Sequence, residues 1–172
     1  LYFSCFDDMI LNQKDDFTFG IRSRRPPLNR VNALLSFIYA VLSNDVASAL
    51  ETVGLDAYAG FMHADRPGRV SLALDVVEEL RAPVADRFVL SLINKKVVDA
   101  GDFDAESNGA VMLNESGRKK VIAKWQERKK EELTHPYIKE KISWGLVPFI
   151  QASLLARFLR NDLDAYPPFL WK

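Results

Sequence analysis

One histidine and a group of carboxylates lie close together in the first half of the sequence. His63 follows an apolar Gly-Phe-Met segment, and a Pro67–Gly68 turn separates it from Asp75, Glu78 and Glu79. An imidazole and one or two carboxylates can bind Mg²⁺ or Mn²⁺ and leave positions open for water and phosphate. A metal bound in this way polarises a phosphodiester and activates a hydroxyl nucleophile. These residues therefore predict a candidate site for phosphodiester chemistry.

A simpler interpretation of the same residues stays open. In a helix after Arg69, the acids lie on one side and apolar residues cover the other, namely Leu72, Ala73, Val76, Val77 and Leu80. A solvated acidic face would give the same pattern, and His63 would then be a core histidine bonded to a backbone carbonyl. Asp75 and Glu78 are three residues apart and stack on adjacent turns. Because two donors are few for a stable metal site, we expect a further ligand upstream.

Arginines on two loops are candidate phosphate contacts. Arg66 and Arg69 flank the Pro67–Gly68 turn, where they could hold the phosphates on either side of a scissile bond. A second group precedes two prolines, which predict an extended and exposed loop, and consists of Arg22, Arg24 and Arg25. A guanidinium fork suits phosphate oxygens, although a solvated linker would have the same composition.

The remaining motifs point to no competing chemistry. His135 precedes Pro136, where we expect it to form a turn rather than to bind a metal. There is no phosphate-binding glycine loop, no paired-cysteine zinc spacing and no nucleophile elbow. Cys5 is the single cysteine, which indicates a reducing compartment, and we expect its side chain to be buried. A basic segment around Trp125 could follow a nucleic-acid backbone, but a solvated helix is the preferred interpretation.

Size and composition are those of an ordinary soluble domain. The 172 residues fit one domain, 48% of them are apolar and the formal net charge is zero, so nothing global marks a nucleic-acid binder. We expect no membrane-spanning helix, because no apolar run approaches the roughly 20 residues that such a helix needs. No signal peptide is visible. The chain starts at Leu1, without methionine and inside an apolar run, which suggests a fragment of a longer protein.

Helical periodicity dominates the sequence, and alternating strand patterns are nearly absent, so the prediction is a mostly helical, all-α fold. Asn29 should cap the clearest helix and Gly54 should end it. Pro83 should break or kink a later helix, and Pro148 should bend the last one. The predicted helices cover residues 29–53, 70–82, 83–98, 115–133 and 136–160, with the end of another at 1–12 and a short strand or extended segment at 111–113.

Four collinear stretches resemble the CRISPR-associated spacer-acquisition integrase family. They are FGIRSRRPP (19–27), VNALLSFIY (31–39), GLDAYAGFMH (54–63) and RVSLALDVVEELR (69–81). The closing DLDAYPPFLW resembles the subtype that accompanies compact type I systems. The resemblance implies that residues 1–172 form the irregular, all-helical catalytic domain, and that the N-terminal β-rich domain of the family is absent here.

The resemblance also implies a metal site made of a glutamate, a histidine and an acid. The histidine matches His63, the acid matches Glu78, and Asp75 matches a second acidic position. The glutamate belongs to a Gly-x-Glu-Gly motif just upstream of Tyr2-Phe3, so this chain by itself lacks a ligand that the family needs.

The implied activity is a transesterification that depends on Mg²⁺ or Mn²⁺. The 3′-hydroxyl of a captured DNA fragment attacks a phosphodiester at the CRISPR repeat boundary, and members of the family also cut branched DNA. The implied partners are double-stranded DNA, a small ferredoxin-like adaptation subunit and a second copy in a homodimer, in the cytoplasm and without a membrane. The alternative from the residues alone is a non-catalytic helical module that binds nucleic acid or protein.

Overall fold

The computed structural model describes residues 2–64 and 66–171, and it is mostly helical as predicted. Leu1, which belongs to the predicted N-terminal helix, lies outside the described residues. The described α-helices are α1 (Arg30–Thr52), α2 (Ser71–Leu80), α3 (Arg87–Asn94), α4 (Glu115–Lys130) and α5 (Val147–Leu159). The described strands are β1 (Phe103–Ala105), β2 (Val111–Leu113), β3 (Glu132–Thr134) and β4 (Lys141–Ser143).

The chain divides into two compact units. The first contains the chain up to Ile38 together with Val84–Gln126, and the second contains Tyr39–Pro83 together with the chain from Glu127 onward. Each unit holds one antiparallel hairpin, β1–β2 in the first and β3–β4 in the second. The loop of Arg22, Arg24 and Arg25 therefore lies in the first unit, and the histidine with its acidic helix lies in the second.

Both ends of α1 are as predicted. The Asn29 side chain accepts a hydrogen bond from the backbone N–H of Asn32 at 2.8 Å, which makes it an N-cap. Gly54 has a φ of +80°, and the backbone N–H of Leu55 donates to the carbonyl of Leu50. This is the Schellman arrangement, which glycine permits because it has no Cβ in the left-handed region.

By length and composition alone, α1 is long and apolar enough to cross a membrane. The expectation that no apolar stretch approaches the length of a membrane-spanning helix is therefore wrong. Half of its most apolar window is buried inside the structure, and the core helix of a soluble protein meets the same criterion. Its apolar residues pack within the fold, for example Leu34, Ile38 and Val46, each of which has no exposed surface.

Pro83 interrupts its helix as predicted. After α2 the chain forms a π-helical segment, Arg81–Asp86, and then continues as α3. Proline has no N–H to donate and its ring clashes with the carbonyl four residues earlier, so a wider turn accommodates it. α3 ends at Asn94, earlier than predicted, because Lys96 takes a φ of +53° and closes the helix in place of the usual glycine.

The predicted helix over residues 136–160 is wrong in its first part. The chain there forms β4 and a 3₁₀ turn before α5 begins, and Leu133 lies in β3 rather than at the end of α4. The backbone N–H of His135 donates to the carbonyl of Glu140, which closes the hairpin. Pro148 lies in the first turn of α5, where a missing N–H costs nothing, and so it starts the helix instead of bending it.

The described N-terminal segment is also not an α-helix. It forms two short 3₁₀ turns, Tyr2–Cys5 and Asp7–Met9. The Asp7 carboxylate accepts backbone N–H bonds from Phe19 at 2.6 Å and Gly20 at 3.0 Å, and these bonds fix the turns against the chain that follows. Cys5 is exposed, so the expectation that it is buried is wrong.

Candidate metal and DNA site

The acids of α2 do not form a solvated face. Asp75 is only 3% exposed although it carries a charge, Glu79 is half-buried and Glu78 is exposed. The environment therefore gives the three carboxylates different roles, which helical spacing alone could not distinguish.

The Asp75 carboxylate holds the histidine loop against α2. One oxygen, Oδ2, accepts the backbone N–H groups of Phe61 at 2.7 Å and Met62 at 3.0 Å. The other, Oδ1, accepts the backbone N–H of His63 at 2.9 Å and lies 2.6 Å from its ring atom Nδ1. Because a carboxylate offers about four lone-pair positions, these four bonds use all of them.

The hydrogen bonds also set the ionisation of Asp75. Burial by itself raises the pKa of this carboxyl, but the bonds from Met62, Phe61 and His63 together outweigh it, and the pKa lies below its usual value. An ionised Asp75 can only accept, so Nδ1 of His63 carries the proton that is shared between them. In the neutral ring the lone pair is then on Nε2, the nitrogen with which this histidine would bind a metal.

Close backbone packing places the histidine loop. A Cβ added to Gly60 would lie 2.6 Å from the Cβ of Ser71 and 2.9 Å from the carbonyl oxygen of His63. The carbonyl of Ala57 accepts the N–H of Leu72 at 3.0 Å, so the loop also satisfies a donor at the start of α2. Only a residue without a side chain fits between the loop and the helix at Gly60.

Glu78 lies one helical turn beyond Asp75. Its Oε1 pairs with the Arg81 guanidinium at 2.9 Å, and that guanidinium lies 4.8 Å from the centre of the Tyr39 ring. Within residues 2–64 and 66–171, no group of three histidine, cysteine or acidic side chains is close enough to hold a metal ion. His63 and Glu78 supply the nitrogen and oxygen donors that Mn²⁺ and Mg²⁺ accept, and they would need another ligand to complete a site.

The two arginines near the histidine lie on a tight turn. The N–H of Arg69 donates to the carbonyl of Arg66 at 3.0 Å, and Gly68 has the positive φ, +74°, that a type II turn needs at its third position. Arg66 is exposed and lines an open depression with Asp56 and Tyr58. The predicted Pro67–Gly68 turn is therefore present.

The three arginines of the loop that precedes Pro26 differ from one another. Arg24 and Arg25 are exposed, which suits contact with a phosphate. Arg22 instead donates from Nη1 to the Asn32 side chain at 2.7 Å and from Nη2 to the Ser36 hydroxyl at 3.2 Å. Asn32 is fully buried, and the only signal for it in the sequence is a polar residue on the apolar face of α1.

Comparison with known proteins assigns the family. The family model for CRISPR associated protein Cas1 matches residues 1–127, which is more than half of the chain. The chain belongs to the Cas1 family. The CRISPR-associated endonuclease Cas1 2 of Rhodospirillum rubrum is 55% identical over 172 residues, which are 100% of this chain and 50% of that protein. The chain spans about half the length of several Cas1 relatives that it matches.

Solved Cas1-like structures share the fold. A Cas1 protein from Thermotoga maritima superposes with a TM-score of 0.82 at 26% identity, over 96% of this chain and 50% of that one. A casposase bound to its integration product gives a TM-score of 0.80 at 26% identity, over 93% of this chain and 44% of that one. The helical fold expected from the family resemblance is therefore confirmed.

The third acid of α2 anchors the C-terminal segment of this Cas1-family chain. Glu79 accepts the hydroxyl of Tyr166 and, at 2.8 Å, the backbone N–H of Phe169. Gln151, which is fully buried, donates to Glu79 at 3.1 Å and to the Tyr166 hydroxyl at 2.7 Å. Burial, with Glu79 alongside, raises the pKa of Tyr166, which therefore keeps its proton as a donor.

His135 extends this network and forms the turn predicted for it. Its Nε2 lies 3.1 Å from Oε1 of Gln151, and its Nδ1 accepts the backbone N–H of Tyr137 at 3.2 Å. Burial lowers the pKa of His135, which favours the neutral ring that both bonds require. The Phe169 ring packs edge-on against His135 with a centroid separation of 5.4 Å. The sequence did not indicate Gln151 or Tyr166 as members of any site.

We expect Glu79→Ala to release the C-terminal segment and to lower the free energy of unfolding by about 2–4 kcal/mol, because three donors lose their acceptor. Tyr166→Phe removes two bonds, the one donated to Glu79 and the one accepted from Gln151, and should cost about 1–3 kcal/mol. Hydrogen exchange should show faster exchange at the Phe169 amide in the Glu79 variant. Glu140→Ala, at an exposed carboxylate, is the matched control and should change stability by less than about 0.5 kcal/mol. Equal effects of the Glu79 and Glu140 variants would contradict this role.

Proposed function

We propose that this chain is the helical catalytic part of a metal-dependent DNA endonuclease and integrase, which inserts spacer DNA into a CRISPR array by transesterification. The observation that carries the proposal is the Asp75 carboxylate, which orients both the backbone and the ring of His63 in a Cas1-family chain. A buried acid that fixes one ring nitrogen of a histidine is the usual partner of a metal-binding imidazole.

In this proposal, His63 and Glu78 bind Mg²⁺ or Mn²⁺, together with the upstream glutamate that the family resemblance implies. Asp75 could be a metal ligand or an outer carboxylate, and its four accepted bonds favour the outer role. When bound, the metal would polarise the scissile phosphodiester and stabilise the charge that develops in its displacement. The protein contributes by holding Nε2 in position with a ring that cannot rotate freely.

Three exposed arginines and the half-buried Arg69 would hold the DNA. We assign Arg66 and Arg69 to phosphates near the site and Arg24 and Arg25 to the substrate clamp. Arg22 acts in the clamp through the loop that it stabilises, because it already bonds Asn32 and Ser36. This division predicts that Arg24 and Arg25 contribute to the salt dependence of DNA binding and that Arg22 contributes mainly to stability.

The proposed partners follow the family. A casposase of similar fold is bound to its integration product, which supports double-stranded DNA, both spacer precursor and CRISPR repeat, as substrate. We further propose the small ferredoxin-like adaptation subunit and a homodimer of the full-length protein, acting in the cytoplasm. These partners concern the whole protein, of which this chain covers about half when measured against its relatives.

A titration with Mn²⁺ separates this proposal from the alternative, a non-catalytic helical module. In the full-length protein we expect Glu78→Gln to weaken Mn²⁺ binding at least tenfold, because a charged donor is lost. Glu115→Gln, at an exposed acid of α4, is the matched control and should leave the affinity unchanged. Equal Mn²⁺ affinity in the parent and the Glu78 variant, together with DNA binding that is indifferent to the change, would favour the non-catalytic module.

A further inference from the structure

One arginine of the second unit lies beside the carboxylate of a proposed metal ligand. Arg81 is the first residue of the π-helical segment that follows α2, and its Nη2 lies 2.9 Å from Oε1 of Glu78. Its guanidinium carbon lies 4.8 Å from the centre of the Tyr39 ring, which is within the range of a cation–π contact. All three residues belong to the second unit. A ring and a carboxylate therefore hold this guanidinium beside the group that would bind the metal.

The arrangement leaves donors of Arg81 unused. Within the part of the chain that the structure describes, its Nε is buried and has no hydrogen-bond partner. A buried donor without an acceptor destabilises a fold, so such a group calls for a reason. An ordinary surface ion pair between residues one helical turn apart contributes little and needs no buried nitrogen. The Arg81 side chain is still 22% exposed, so the guanidinium can meet an acceptor that arrives from solvent.

The acceptor that suits these donors is a phosphate oxygen. A guanidinium donates in a planar fork that matches the oxygens of a phosphate. In a phosphodiester displacement, negative charge grows on the non-bridging oxygens, and a cation fixed beside them stabilises it. A metal bound to Glu78 would take up part of the negative charge that now attracts Arg81, because both cations interact with the same carboxylate. The guanidinium would then be available to the phosphate when the metal is bound.

We propose that Arg81 is a further catalytic residue of this site, whose guanidinium donates hydrogen bonds to a non-bridging oxygen of the scissile phosphate. The inference rests on the proposed function and adds a residue to its chemistry. In the step, the attacking 3′-oxygen forms a bond to phosphorus and the bond from phosphorus to the leaving 3′-oxygen breaks. The attacking hydroxyl releases a proton to solvent, and the leaving oxygen takes one up. Arg81 neither gains nor loses a proton and acts through its positive charge.

The first test compares strand transfer and Mn²⁺ binding in the full-length protein. Arg81→Gln removes the charge and keeps a polar side chain, and we expect strand transfer to fall about 100-fold or more. The Mn²⁺ affinity should stay the same or rise by up to about tenfold, because a guanidinium beside Glu78 repels a bound cation. Arg160→Gln, at an exposed arginine that also pairs with an acid close in sequence, is the matched control and should change both quantities less than about twofold. A loss of Mn²⁺ affinity as large as that of Glu78→Gln would overturn the proposal, because Arg81 would then act only by supporting the ligand.

A neutral target phosphate tests the contact itself. In a methylphosphonate, a methyl group replaces one charged non-bridging oxygen, so less negative charge develops for a cation to stabilise. The penalty for Arg81→Gln should therefore shrink from about 100-fold on the phosphodiester to less than about tenfold on the methylphosphonate. A merely structural role would give the same penalty on both targets, and that result would overturn the proposal.

Conservative variants keep the proposal testable if the Arg81→Gln variant folds poorly. Arg81→Lys keeps the charge but loses the fork, so it should transfer strands at least about tenfold faster than Arg81→Gln. Tyr39→Phe keeps the aromatic face and should stay within about threefold of the parent protein, whereas Tyr39→Leu loses that face and should fall about tenfold. The Mn²⁺ affinity should be unchanged in all three variants. Equal strand transfer by the two Tyr39 variants, with no recovery by lysine, would overturn the proposal.

The outcome is separable from that of the proposed function. If Arg81→Gln transfers strands normally while His63→Ala does not, the role of Arg81 is wrong and the integrase proposal stands. If the parent protein transfers no strands in the presence of Mn²⁺, both proposals fail.

Discussion

The His63→Ala variant of the full-length protein should lose DNA strand transfer by about a thousandfold or more. Metal catalysis contributes several kcal/mol of transition-state stabilisation, and each 1.4 kcal/mol corresponds to a factor of ten in rate. The Asp75 carboxylate already fixes the ring of His63, so removing that ring removes the nitrogen donor that this contact orients. Strand transfer measured on a CRISPR repeat with Mn²⁺ or Mg²⁺ gives the result.

The fold of this variant should survive. The His63 side chain is 26% exposed, and its backbone N–H still donates to Asp75 after the change. The midpoint temperature of thermal unfolding should therefore change by only a few degrees. A loss of strand transfer in this variant would then be due to lost catalysis and not to unfolding. Met62→Ala is the matched control, because Met62 also donates its N–H to Asp75 while the residue is 62% exposed. Normal strand transfer by the His63 variant would refute the assignment.

Asp75→Ala should be the most destabilising single change at this site, at about 3–5 kcal/mol. The side chain is fully buried, and its removal leaves the N–H groups of Phe61, Met62 and His63 without their acceptor. Asp75→Asn keeps the shape but turns an amide donor toward one pair of donors, and we expect strand transfer to fall about 10–100-fold. Urea unfolding measures the stability of both variants.

The effect of Asp75 on stability should depend on pH. The folded pKa lies below the unfolded value, so the unfolded state binds the proton more readily. The stabilisation is therefore complete above about pH 4, the ordinary value for an aspartate, and is lost as the pH falls toward the lower folded pKa. Asp104→Asn, at an exposed residue of β1, is the matched control and should change the stability at pH 7 by less than about 0.5 kcal/mol. An Asp75→Asn variant with the stability of the parent protein at pH 7 would contradict this account.

Local signals in the sequence determined much of the fold. The caps of α1 at Asn29 and Gly54 and the interruption at Pro83 are each set by groups within a few residues of one another. The hairpin of β3 and β4 was missed because its strands are three residues long and pair with each other rather than following a repeating pattern. Short strands are specified by their partner, which a single stretch of sequence does not show.

For the site, the sequence determined which residue types were available and on which helix they lie. The spacing of the residues predicts that the three acids Asp75, Glu78 and Glu79 lie on α2 and that His63 lies on the loop before it. Spacing does not show which of the three acids is buried and which is exposed. The tertiary structure decided that Asp75 is buried against the loop, that Glu78 faces solvent and that Glu79 bonds the C-terminal segment. The physical reason is that the role of a carboxylate depends on its burial and on the donors around it, and those donors come from segments distant in sequence.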